Sequence, residues 1–132
     1  MPVTWSVVNN RVLVIATIGG YETSEWIAAI EEARRDSRVG PATTVLFDTR
    51  ASLVYLSPEE LTWRTEWFAT VCREGSFRRC AFLTATNAYR VQVIEPGVTG
   101  LRQHGIETAA FTDRDAAFRW AMESDDQAPP LP

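Results

Sequence analysis

The stretch RVLVIATIGG, residues 11 to 20, decides the fold. Val12, Val14, Ala16 and Ile18 fall on one face of an extended chain, and Leu13 and Ile15 on the other. A strand that is apolar on both faces is central to a sheet and covered on both sides. Gly19-Gly20 ends it. Upstream, Val3, Trp5 and Val7 alternate with Thr4 and Ser6, the pattern of a strand with one solvated face. Asn9-Asn10 between the two tolerates the positive φ of a tight hairpin turn. Val3–Val8 is therefore expected to lie antiparallel to Arg11–Ile18, with Thr4 and Ser6 facing water.

Downstream, helices and strands alternate. TSEWIAAIEEARRDS (23–37) reads as a helix capped by Thr23 or Ser24, burying Trp26, Ile27, Ile30 and Ala33. TTVLFDTRAS (43–52) is apolar and then polar, so a strand is expected from Thr43 to Asp48. Ser57, Pro58 and Glu60 supply an N-cap, an N1 proline and the N3 acid of a capping box for a second helix, which Gly75 stops. Leu61, Phe68, Val71 and Cys72 form its core-facing stripe.

RCAFLTA (79–85) is the fourth strand. Ala88, Val91, Ile94, Val98 and Leu101 follow at helical spacing, divided or kinked at Pro96-Gly97. IETAAF (106–111) is the fifth strand, and TDRDAAFRWAME (112–123) a last helix capped by Thr112. The polar, proline-rich tail SDDQAPPLP (124–132) reads as disordered. The order implies a single α/β domain over residues 1–123, a mostly parallel mixed sheet of about five strands with an antiparallel N-terminal hairpin strand and about four helices.

Composition narrows the function classes. In 132 residues the formal net charge is −4, and all 13 basic side chains are arginine. An acidic chain without a basic cluster is a poor partner for nucleic acid. Without lysine there is no lysine-based Schiff-base chemistry and no phosphate loop of the lysine type. Gly19-Gly20 and Gly97-Val98-Thr99-Gly100 also lack nucleotide-loop spacing. MPVTWSVVNN has neither the basic flank nor the apolar core of a signal peptide, and no apolar run reaches the ~18 residues of a membrane span. The expected location is cytoplasmic. Cys72 and Cys80 read as small buried hydrophobes, His104 as a helix-end residue, and no metal cluster or cofactor is expected.

RVLVIATIGGYETSEW (11–26), TTVLFDTRAS (43–52), RRCAFLTATNAY (78–89) and AAFTDRDAAFRWAM (109–122) together resemble the SpoIIAA-like family, related to the STAS and Sec14-type folds. Asp48 and Arg50 match the family's strand ending in Asp-x-Arg. Phe111, Asp113, Ala117 and Trp120 match its closing segment. The resemblance implies a small cytosolic sheet-and-helix domain without an established enzymatic activity. In the related anti-sigma antagonists a phosphorylatable serine follows the third strand in a Ser-Gly turn. Here DTRASLVYLSPEE (48–60) lacks that turn. Ser57 is the nearest candidate phosphoacceptor, and its N-cap role with Glu59 and Glu60 beside it stands against modification.

Three functions are compatible with these residues. The leading one is a non-catalytic STAS-like regulatory or binding module for a small apolar or amphipathic ligand or a protein partner. Its candidate contacts are Asp48, Arg50, Tyr55, Trp63 and Trp67. The second is a small enzyme built on Asp48 and Arg50, with Thr49 between them. The third is a homodimer joined through the aromatic face of the second helix and the SLVYL loop (52–56). Trp63 and Trp67 either line such a surface or pack beneath their neighbours.

Overall fold

The computed structural model describes residues 2–86 and 90–123. The elements run β1 (Val3–Val8), β2 (Val12–Gly19), α1 (Thr23–Arg34), β3 (Thr44–Ser52), α2 (Pro58–Arg73) and β4 (Arg79–Leu83). A π-helical turn, Arg90–Ile94, then leads into α3 (Glu95–Gln103), β5 (Thr108–Phe111) and α4 (Arg114–Met122). The expected tail and the helical position at Ala88 lie outside the described residues.

The strands form one sheet in the order β1-β2-β3-β4-β5, β1 antiparallel and the rest parallel. Each crossover advances one strand in the same direction. Right-handed crossovers must then all lie on one face. Accordingly α1, α2 and α3 pack on the face carrying Leu13, Ile15, Val45, Phe47 and Cys80. Among the described residues no strand follows α4, and it covers the other face, over Val12, Leu46, Ala81 and Leu83. The two-sided apolar pattern of residues 12–15 reflects these two layers, while Ile18 is left exposed.

The hairpin forms as its residues require. Asn9 and Asn10 both have positive φ, 52° and 55°. Thr4 and Ser6 are exposed while Val3 is buried, with Trp5 and Val7 packed against the core.

Four local expectations need correction. Strand β3 does not end at Asp48: past a bulge it continues against β2, pairing Ala51 with Ile18 and Ser52 with Gly19. Beyond Asp48 its ladder with β4 has ended and, among the described residues, pairing continues with β2 alone, so the apolar pattern fades before the ladder does. Helix α1 is capped at Glu22, whose N–H donates to Glu25 Oε1 at 2.9 Å, because the Thr23 hydroxyl is engaged elsewhere. Helix α4 is capped by Asp113, which accepts from Ala116 N, and not by Thr112. The third helical region divides ahead of Pro96, where the π-helical turn gives way to α3.

Candidate functional site

Asp48 and Arg50 sit within β3 rather than in a turn after it. Asp48 Oδ1 accepts from Arg50 N (3.2 Å) and Arg50 Nε (3.0 Å), and Oδ2 from Arg50 NH2 (2.8 Å). The chelate closes where β3 carries an extra residue relative to β2, so it fixes the bulge. Burial pushes the Asp48 carboxyl up, but the Arg50 hydrogen bonds and the Arg50 and Arg114 charges outweigh it, and the net shift is down. An equivalent chelate joins Asp36 and Arg38 in the loop after α1, at 2.9, 2.9 and 2.8 Å. There the Arg38 side-chain hydrogen bonds lead in holding the carboxyl at about 2. Both Asp-x-Arg segments of this chain thus fold into the same chelate.

Because the folded Asp48 carboxyl titrates below its unfolded value of roughly 3.9, its contribution is present above ~pH 4 and is lost as pH falls through the folded value. Asp48→Asn is expected to lower stability by about 1 kcal/mol at neutral pH, a figure discounted for the exposure of Arg50. The gap from wild type should narrow in acid. A gap that stays constant from pH 7 to pH 2 in thermal melts would contradict the paired carboxylate.

The other sequence candidates separate. Ser57 caps α2, accepting from Glu60 N at 3.1 Å. Trp67 packs on the core, 5.6 Å from the Trp26 ring, while Trp63 and Tyr55 are 49% and 61% exposed. Cys72 and Cys80 are free thiols raised by burial, Cys72 to about 12, so neither is a ready nucleophile. Among the described residues no group of three metal-ligating side chains occurs, and no helix is long and apolar enough to cross a membrane.

The geometry converges elsewhere, on a cavity of about 60 Å³ between the sheet and helices α1, α2 and α3. A buried water needs roughly 10–15 Å³ on this scale, so there is room for a small molecule. Phe47 and Phe82 supply its sheet side, Phe68 its α2 wall, Ile94 and Leu101 the α3 side, and Leu56 of the loop after β3 also reaches it. The π-helical turn places both Val93 and Ile94 at the cavity; such turns are rare and frequently mark functional sites. Close approach of α3 to α2 depends on Gly100, where a Cβ would stand 2.9 Å from Thr65 Cγ2.

Among the described residues one charged side chain lines this mostly apolar space. Arg64 is only 6% exposed. Its Nε and NH2 donate to Thr23 Oγ1 at 3.0 and 2.8 Å, and its NH1 to Tyr21 Oη at 3.0 Å. Its guanidinium carbon lies 5.1 Å from the Tyr21 ring centre and 5.0 Å from that of Trp26. Thr23 in turn donates to the exposed Glu60, which therefore does not complete the capping box of α2. Sequence reasoning missed Arg64 because arginine is almost never fully buried. The signal was its position: Leu61, Arg64, Phe68 and Val71 follow one another at helical spacing, so Arg64 interrupts the core stripe.

The fold and site together define a single α/β domain with a mostly apolar cavity under its helices and the buried Arg64 cation at that cavity. No family model, curated protein or solved structure matches the chain.

Proposed function

We propose that the chain is a non-catalytic, STAS-like cytoplasmic binding module whose cavity takes a small apolar or amphipathic ligand. The observation that carries this reading is the cavity itself, with aromatic and aliphatic walls drawn from the sheet, the loop after β3 and helices α1 to α3. Ligand sites have this character: concave, mostly apolar, with few polar groups to fix orientation. Two of the segments named from sequence, the loop after β3 and α2, contribute Leu56, Leu61, Arg64 and Phe68 to it. The Asp48–Arg50 chelate supports a structural role for that pair, since each partner already holds the other.

The neutral dye N-phenyl-1-naphthylamine tests this reading. It should gain fluorescence with the wild-type protein and lose that gain with Gly97→Leu, whose Cβ has ordinary clearance, 3.9 Å from Leu61 Cδ1, and whose branch enters the cavity. Leucine also suits a helix better than glycine, so the melting temperature should hold or rise. Dye binding that survives the substitution unchanged would place the ligand elsewhere.

A second reading, the homodimer, is favoured by Leu53, Tyr55 and Trp63, three large apolar side chains left exposed within eleven residues of sequence. Sedimentation velocity on the wild-type sample decides it: a single monomeric boundary at high concentration removes this reading.

A further inference from the structure

We infer that the ligand carries one carboxylate, held by Arg64, on an apolar aliphatic or aromatic tail. This rests on the ligand-binding reading above. Arginine stays protonated in proteins and has five N–H donors, of which the three hydrogen bonds to Thr23 and Tyr21 leave two. All its hydrogen-bond partners among the described residues are hydroxyls, and no carboxylate pairs with it. A buried charge without an opposite charge is costly, and the two ring contacts offset only part of that cost.

Arg79 shows how this fold treats a cation it needs only for structure. It is also buried, yet it reaches the Glu107 carboxylate, the carbonyls of Trp120 and Glu123, and the Thr44 hydroxyl. Arg64 has no such set. A second polar group lining the cavity is likewise unmatched: Thr17 is 2% exposed and its hydroxyl has no hydrogen-bond partner.

Two spare guanidinium N–H groups and a spare hydroxyl are thus left on side chains that line a mostly apolar space. A carboxylate fits because it is planar, accepts two parallel N–H bonds and carries one charge. A phosphate dianion would bring a second charge with no second cation among the described lining residues. The tail lies against Phe47, Phe68 and Phe82.

The experiment is displacement of bound N-phenyl-1-naphthylamine at pH 7 by matched pairs, hexanoate against hexan-1-ol and benzoate against benzyl alcohol. At least one acid should displace the dye at a concentration tenfold or more below that of its alcohol, and the leading acid tells an aliphatic tail from an aromatic one. In Arg64→Gln the gap should close while the dye still binds. Should that variant fail to fold, Thr17→Val provides the readout: the acids should weaken several-fold and the alcohols stay unchanged. Acids and alcohols acting at equal concentrations would overturn the carboxylate inference, with dye binding still upholding the cavity reading. Inorganic phosphate displacing the dye as well as the acids do would also overturn it. A wild-type protein that never binds the dye would instead overturn the cavity reading itself.

Discussion

Phe68→Ala is expected to lower the free energy of unfolding by about 3–5 kcal/mol, the range for removing a buried aromatic side chain. Phe68 is 2% exposed and stands where the helical layer meets the sheet. Its ring centre lies 5.3 Å from Phe47 of β3, 5.8 Å from Phe77 ahead of β4, and 6.4 Å from Trp26 of α1. Truncation therefore removes contacts to β3, α1 and the segment before β4 at once and enlarges a space that is already a cavity. Domains of this size have about 5–15 kcal/mol in total, so the loss is a large fraction of it. Urea unfolding measures the effect as a lower midpoint at unchanged slope. A loss below about 1 kcal/mol would mean that α2 is not seated on the sheet as described.

Arg79→Ala is expected to cost about 2–4 kcal/mol and to loosen α4 before the rest of the domain. The Arg79 guanidinium reaches the carbonyls of Trp120 and Glu123 at the end of α4, where, among the described residues, Trp120 O otherwise accepts only the Glu123 N–H. It also lies 4.0 Å from the Trp120 ring centre and bonds Glu107 Oε1 at 3.1 Å. The figure sits below a full buried-pair value because Glu107 and Glu123 are more than half exposed and regain water. Hydrogen exchange separates this from general destabilisation: amides of Arg114–Met122 should lose protection while those of α2 keep theirs. Uniform loss in both helices would contradict a local role.

Much of the architecture was legible because it rests on patterns with one physical solution. A strand apolar on both faces has to be covered twice, and Val12 to Ile15 are, whereas Ile18 at the strand's far end is 56% exposed. Ser57-Pro58 announces a helix start, and α2 begins at Pro58 with Ser57 as its cap. Boundaries were less legible where tertiary partners override local pattern. Thr49, Arg50 and Ala51 look like a loop, yet β2 runs far enough past the bulge to pair with Ala51 and Ser52, and Thr49 Oγ1 reaches Leu83 O at 3.1 Å. Thr23 looks like a cap, yet its hydroxyl serves Arg64.

The site was legible only in outline. The loop after β3 and α2 were chosen for their aromatic residues, but Tyr55 and Trp63 face outward and Trp67 joins the core edge. The cavity side of α2 is set by Leu61, Arg64, Thr65 and Phe68. An arginine in that arc reads from sequence as an exposed interruption, since nothing local reveals that Thr23 and Tyr21, more than forty residues away, receive its hydrogen bonds.

The most direct test of the account is a crystal structure of the protein grown with hexanoate. The account predicts the acid in the cavity beneath α2 and α3, its carboxylate oxygens about 3 Å from the Arg64 guanidinium nitrogens and its tail against Phe47 and Phe82. A cavity holding only water at saturating hexanoate, with Arg64 still bonded to Thr23 and Tyr21 alone, would contradict it.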